Sequence, residues 1–324
     1  MCTAMRLKNK DFYFGRTLDW DASFGERVVI TPRNFGLCFR MEPPQRTHHA
    51  MIGMATVVDG YPLYAEAVNS AGLCAAGLHF SGNAHYSETA EEGNLNLAPY
   101  ELIPYLLGTC ADLGEAKALL QDLNLMEIPF REDIPLTPLH WMIADQSGAV
   151  VVESTACGVR IYDDPAGVLT NNPPFGFHLQ NLSHYGNLTA APAKGDFLED
   201  SGAQSFGLGL GCHGLPGDYS STSRFVRAAW LLGHRAEAEG EGACVAQFFH
   251  LLAAVSPVKG SVLTEKGACH YTLYSTCMNA TRGILYVRTC DNPTVYAVDL
   301  HTRGAEGACL TEIEIPKETE FCFL

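Results

Sequence analysis

The first quarter of the chain is patterned in short apolar runs. "AMRL" (4–7), "FYFGRTLDW" (12–20), "RVVITPR" (27–33) and "MIGMATVV" (51–58) are rich in β-branched and aromatic residues and too short for helices, so they predict strands. "AEAVNSAGLCAAGLHF" (65–80) reads as two strands joined at Asn69–Gly72, where Asn, Ser and Gly signal a turn. The period then changes. In "APYELIPYLLGTCADLGEAKALLQDL" (98–123) apolar residues recur three and four apart, the spacing of a helix, and Pro104 predicts a break or kink inside it. "LHWMIADQSGAVVVESTACGVRIYDD" (139–164) returns to strands, with a hairpin turn at Asp145–Gly148. Residues 223–239 and 243–255 predict helices, and 270–290 and 294–300 predict closing strands. Pro and Gly gather at 172–176 and 202–217, which read as loops. Strands joined by hairpins, without strict βαβ alternation, predict mixed α/β content with mainly antiparallel sheet. There is no internal repeat and no low-complexity linker, so residues 1–324 are expected to form one domain.

Composition narrows the partners. The chain is 47% hydrophobic, ample for a large core, and its net charge is −15 at pH 7. An acidic surface argues against nucleic acid and anionic membrane, since both are held by clustered Lys and Arg. No apolar run reaches the roughly 18 residues of a membrane span. Arg6, Lys8 and Lys10 interrupt the N-terminal segment where a signal peptide would carry its apolar stretch, so the cytosol is the expected location. The twelve cysteines lack CxxC spacing and are expected to be mostly buried thiols, without a disulfide framework or a zinc site. No cofactor is expected. Gly209–Gly214 fits G-x-G-x-x-G, but it neither follows a clear strand nor opens a helix, so it is set aside.

The remaining question is chemistry. Cys2 follows Met1 directly. With Met1 removed, residue 2 would carry a thiol and a free α-amine whose ordinary pKa of about 7.7–8.0 suits a general base. The bland alternative is an incidental second residue. In "GRTLDW", Arg16 would favour a thiolate and Asp19 would orient the amine; equally, the two could be a surface ion pair. Asn171, ahead of Pro173 and Pro174, is either an oxyanion donor held by a rigid turn or a plain Asn turn. Arg224 follows Ser221, Thr222 and Ser223, the expected helix caps. At a helix N-terminus it gains nothing from the dipole, which suggests another reason for its presence; a solvated arginine is the alternative. His140 is expected to be a packed strand histidine, and His79 a core or pocket histidine.

Taken together, "MCT", "FGRTLD", "ITPRNF", "LHWMIAD", "GVLTNNPPF", "GLPGDYSSTSRFVR" and "YSTCMN" run in order along nearly the whole chain. In them the sequence resembles the choloylglycine hydrolase family of bile salt hydrolases and penicillin V acylases. The resemblance implies a four-layer αββα N-terminal-nucleophile hydrolase with two mainly antiparallel sheets, assembled as a homotetramer. It implies Cys2 as nucleophile, Arg16 supporting the thiolate, Asp19 orienting the α-amine, Asn171 in the oxyanion hole and Arg224 in the charge network. It places Leu18, Phe24, Val58, Phe130, Ile134 and Leu139 along an apolar acyl pocket. The substrate it implies is a glycine- or taurine-conjugated bile salt. Penicillin V or an N-acyl homoserine lactone is the alternative within the fold, and a non-catalytic binder of apolar anions the alternative outside it. The chain departs from the pattern at His79, where many bile salt hydrolases carry asparagine and penicillin V acylases often carry tyrosine. The backbone N–H that serves the oxyanion there is retained, so the departure bears on substrate choice.

Overall fold

The computed structural model describes residues 1–192, 202, 207–319 and 321. Strands β1 (Cys2–Lys8), β2 (Phe12–Trp20), β3 (Arg27–Thr31), β4 (Met51–Val58), β5 (Tyr61–Asn69) and β6 (Cys74–His79) form where the apolar runs predict them. The turn between β5 and β6 is closed by the Asn69 side chain, whose Oδ1 accepts from the Ala71 and Leu73 N–H groups, and by Gly72 at φ 97°. A short β7 (Leu95–Leu97) precedes helices α1 (Leu102–Thr109) and α2 (Leu113–Leu120). The helical stretch does break, but not at Pro104. Pro104 is the third residue of α1, where a missing N–H costs nothing. The break falls at Cys110–Asp112, where Asp112 caps α2 by accepting from the Glu115 N–H at 2.9 Å.

β8 (Leu123–Leu125), β9 (Leu139–Asp145), β10 (Gly148–Thr155), β11 (Gly158–Asp163) and β12 (Val168–Leu169) follow, then α3 (Phe175–Asn181), α4 (Ser221–His234) and α5 (Glu241–Ala253). β13 (Tyr271–Asn279), β14 (Ile284–Thr289), β15 (Tyr296–Asp299) and β16 (Thr311–Ile313) complete the order. The loop expected at 172–176 is cut short, because Phe175 and Gly176 already belong to α3. Of the loop expected at 202–217, residues 203–206 lie outside the described residues, and Leu210–Cys212 forms one 3₁₀ turn. The cap of α4 is Ser220, one residue earlier than the sequence suggests. Its hydroxyl accepts from the Ser223 N–H, which leaves Ser221–Ser223 inside the first turn.

Two antiparallel sheets carry the architecture. One has the order β12-β1-β2-β13-β14-β15 and the other β11-β10-β9-β6-β5-β4-β3-β16; β7 and β8 pair separately in parallel. Side-chain alternation builds two cores from the eight-stranded sheet. Met142 and Ala144 of β9 point toward the six-stranded sheet, while Trp141 and Ile143 point toward α1 and α2. Because this sheet is covered on both faces, its strands read as near-continuous apolar runs. Phe225, Phe248 and Phe249 of α4 and α5 join the core on the six-stranded side. The result is four layers, αββα.

Candidate active site

Register places the first polar groups. Cys2 of β1 lies opposite Leu18 of β2, and Thr3 opposite Thr17. Directly opposed residues share a face, so Cys2, Leu18 and Arg16 turn toward the eight-stranded sheet, while Thr3, Thr17 and Asp19 turn toward α4. The end of β1 is therefore reached from both sides. On the inner side a cavity of about 470 Å³ opens on Cys2 and Arg16. Leu18, Phe24, Val58, Phe130, Ile134 and Leu139 all line it, as does His79. Trp20, Tyr64, Tyr100 and Trp141 line it too and were not singled out from the sequence. Their apolar character is that of ordinary core residues, so no sequence signal separates them from the core.

Arg16 is buried at 1% exposure. Its Nη1 donates to the Gly77 carbonyl at 2.6 Å and lies 3.6 Å from Glu66 Oε2 on the facing sheet. The reading of Arg16 and Asp19 as a surface ion pair is thereby excluded: both are buried, and the Arg16 counterion is Glu66. Burial alone would lower the Arg16 pKa, but nearby Cys2, Glu66, Tyr274 and Asp19 outweigh it and hold the guanidinium above its ordinary value. Glu66 receives the hydroxyls of Tyr274 at 3.0 Å and Thr276 at 3.1 Å, yet burial still pushes its carboxyl up to about 7. The sequence carried a trace of this residue, as a lone acid amid the apolar run of β5.

On the helix side, Arg224 is fully buried rather than solvated. One Nη donates to the Cys2 carbonyl and to Thr3 Oγ1, the other to Asn171 Oδ1 at 2.7 Å. Burial lowers the Arg224 pKa, against the pull of Asp19 and Cys2. Asn171 is held at every polar atom. Oδ1 also accepts from the Cys2 N–H at 2.8 Å, Nδ2 donates to the His79 carbonyl at 2.8 Å, and the backbone N–H donates to Ser221 Oγ. Two donors on Oδ1 fix the amide orientation. One Nδ2 hydrogen remains free of the His79 bond. The next residue, Asn172, bridges the Ser81 carbonyl and the Asn83 side chain. Asp19 Oδ1 accepts from Thr272 Oγ1 at 2.6 Å, while its Oδ2 is buried with no partner.

Met1 continues β1 past Cys2. Its carbonyl accepts from the Asp19 N–H, and its ammonium lies 2.6 Å from His270 Nε2. Burial is the main cause that lowers the pKa of this ammonium. His270 was missed from the sequence, where it looked like the first residue of a strand. Trp20 packs between His270 and His79, with ring centroids 6.1 and 5.8 Å away. Burial and the neighbouring ammonium lower the pKa of both imidazoles, so both are neutral at pH 7. Among the described residues no group of His, Cys, Asp and Glu is placed to hold a metal ion, and no helix is long and apolar enough to cross a membrane.

A four-layer αββα sandwich with a cysteine opening its first central strand defines the N-terminal-nucleophile hydrolase fold. The chain matches, over residues 2–308, the model of the linear amide C–N hydrolases of the choloylglycine hydrolase family. It is 41% identical to the bile salt hydrolase/transferase of Lactiplantibacillus plantarum, over 99% of each chain. It is 38% identical to the conjugated bile acid hydrolase of Lactobacillus acidophilus, over 94% of this chain and 98% of that one. The crystal structure of the C2A mutant of the conjugated bile acid hydrolase from Clostridium perfringens superposes with a TM-score of 0.94 at 32% identity, covering all of both chains. The penicillin V acylase of Agrobacterium tumefaciens shares the fold, with a TM-score of 0.74 at 20% identity, over 97% of this chain and 91% of that one. The chain belongs to the choloylglycine hydrolase family of linear amide C–N hydrolases.

Proposed function

We propose that this chain hydrolyses the amide of glycine- or taurine-conjugated bile salts through a thioester on Cys2. The observation that carries the reading is the buried Cys2 thiol in the wall of a largely apolar cavity. A cavity of about 470 Å³ lies within the range of small-molecule sites, and its walls are aromatic and aliphatic. The relatives named for bile salt and conjugated bile acid hydrolysis support the same substrate.

The chemistry requires removal of Met1, because the Cys2 nitrogen is otherwise a peptide amide with no basic lone pair. The freed α-amine stays against Asn171 Oδ1, and Asp19 Oδ2, now without a partner, is its second acceptor. The amine takes the thiol proton, and the sulfur attacks the amide carbonyl carbon. Arg16 favours the thiolate. The oxyanion is received by the free Nδ2 hydrogen of Asn171 and the backbone N–H of residue 79. The C–N bond then breaks, and the departing amine takes its proton from the α-ammonium. Water attacks the thioester with the α-amine again as base, the C–S bond breaks, and the acid leaves. In this reading the chain is one cytosolic domain that assembles as a homotetramer, which light scattering on the eluted protein tests.

The test is product release by the purified protein from taurocholate, glycocholate, penicillin V and an N-acyl homoserine lactone. Release of taurine or glycine with kcat/KM well above the other two is the expected result. Preference for penicillin V or the lactone would move the substrate within the family, and release from none of the four would overturn the reading.

A further inference from the structure

Behind Asn171 lies a buried ionisable pair that the chemistry above does not use. His140 of β9 and Glu153 of β10 are 0% and 1% exposed, with His140 Nδ1 3.2 Å from Glu153 Oε1. His140 Nε2 donates to the Thr170 carbonyl at 3.0 Å, while Nδ1 and the Glu153 carboxyl share a second proton between them. Glu153 Oε1 also accepts the Phe175 N–H at 2.8 Å. Thr170 immediately precedes Asn171, and Phe175 begins α3 on the other side of the Asn172–Pro174 turn. The pair therefore grips both ends of the segment that presents Asn171. The same imidazole stacks on Phe80, with centroids 4.4 Å apart and planes 7° from parallel. Phe80 follows His79, whose carbonyl receives Asn171 Nδ2. One ring thus fixes the two stretches of backbone between which the oxyanion would sit.

We propose that His140 and Glu153 are positioning residues that hold Asn171 and residue 79 in oxyanion-binding geometry. A plain core would fill this space with aliphatic side chains at no desolvation cost, and that cost is visible in Glu153 Oε2, buried without a partner. Neither side chain is hydrogen-bonded or ion-paired to the thiol, its arginine or Asp19. Their loss reaches the site through the backbone on either side of Asn171 and residue 79, while Arg224 still holds Asn171 Oδ1 against the Cys2 nitrogen, so the expected effect falls on the oxyanion more than on the nucleophile.

The inference rests on the reading of Asn171 given above, and two rates separate them. Alkylation of Cys2 by iodoacetamide needs the thiolate but forms no oxyanion; hydrolysis needs both. His140→Leu is expected to lower kcat on the order of tenfold to a hundredfold, below the loss from deleting an oxyanion donor outright. KM and the alkylation rate are expected to stay within about twofold of the parent. His140→Gln, which can still donate to the Thr170 carbonyl, should recover part of kcat, and it carries the same comparison if His140→Leu does not fold. Hydrolysis and alkylation falling together, or neither falling, would overturn the proposal. Asn171→Ala is the control for the reading beneath it: if that variant hydrolyses as fast as the parent, the oxyanion assignment fails, whatever His140 does.

Discussion

Replacing Cys2 by serine exchanges a thiol for a hydroxyl, a far weaker nucleophile at neutral pH in a site built around a thiolate. The side chains are nearly isosteric, and position 2 lies at the end of a strand held by its register with β2. Cys2→Ser is therefore expected to lose hydrolysis by at least about a thousandfold, with a melting temperature unchanged within about 2 °C. Near-parental turnover by the pure variant would remove Cys2 from the mechanism. Met1 sets the same requirement from the other side. Intact-mass spectrometry of active protein should find Met1 missing, and a fully active sample in which Met1 is quantitatively present would contradict the requirement. At His79 the effect falls on substrate choice. Its imidazole lines the cavity, and burial, the largest cause and one that outlasts the removal of Met1, lowers its pKa, so it is neutral down to a more acid pH than the ordinary value of about 6.5. His79→Asn should change the taurine-to-glycine ratio of kcat/KM severalfold at pH 7 through lost polar contact worth roughly 1 kcal/mol. Any further change that depends on pH should appear only below about pH 6.5. An unchanged ratio would leave His79 as wall and nothing more.

Among the elements, β2 bears the most function per residue, and its packing leaves no slack. Gly15, beside Arg16, lets β2 lie against β13 so closely that a Cβ built on it would run into the Thr276 carbonyl and the Phe248 ring. The nearest of these is backbone of a central strand and cannot rotate away. Gly15→Ala is expected to destabilise the protein by about 3 kcal/mol or more, the upper end of overpacking costs. Denaturant unfolding checks this; a loss under about 1 kcal/mol would show that the sheet yields. Legibility differed between elements for physical reasons. β2 and the β9–β10 hairpin could be read from the sequence because strand period and turn chemistry are local. α3 was hidden because Pro173 and Pro174 look like loop, although prolines ahead of a helix are well placed to start one. β12 is two residues long and exists only through its pairing with β1, and β7 and β8 pair in parallel across the intervening helices.

Across the whole molecule, Glu66 ties the two sheets together through Arg16 of β2 and through Tyr274 and Thr276 of β13. Burial pushes its carboxyl from 4.5 up to about 7. Between those pH values the native state holds a proton that the unfolded chain has lost. Stability from this group is complete below about pH 4.5 and declines as pH rises toward 7. Glu66→Gln removes the titration, so its unfolding free energy should fall less steeply over that window than the parent's. Parallel slopes for the two proteins at pH 5, 6 and 7 would contradict this.

The sequence by itself determined most of the longer strands and helices, a mainly antiparallel α/β content, and the short ordered motifs in which Cys2, Arg16, Asp19, Asn171 and Arg224 stand out; the αββα layering was implied only by the family those motifs resemble. The elements and motifs follow from period, turn chemistry and residue type, which act over a few positions. Only the tertiary structure decided what these groups touch. Asn171 meets the Cys2 nitrogen across 169 positions, and Arg224 meets the Cys2 carbonyl across 222. Arg16 takes its counterion from the opposite sheet, and His140 grips the segment that presents Asn171. No local pattern encodes such pairs. Burying a polar group is costly unless it finds a partner, and its partner is set by which faces the sheets and helices bring together on packing.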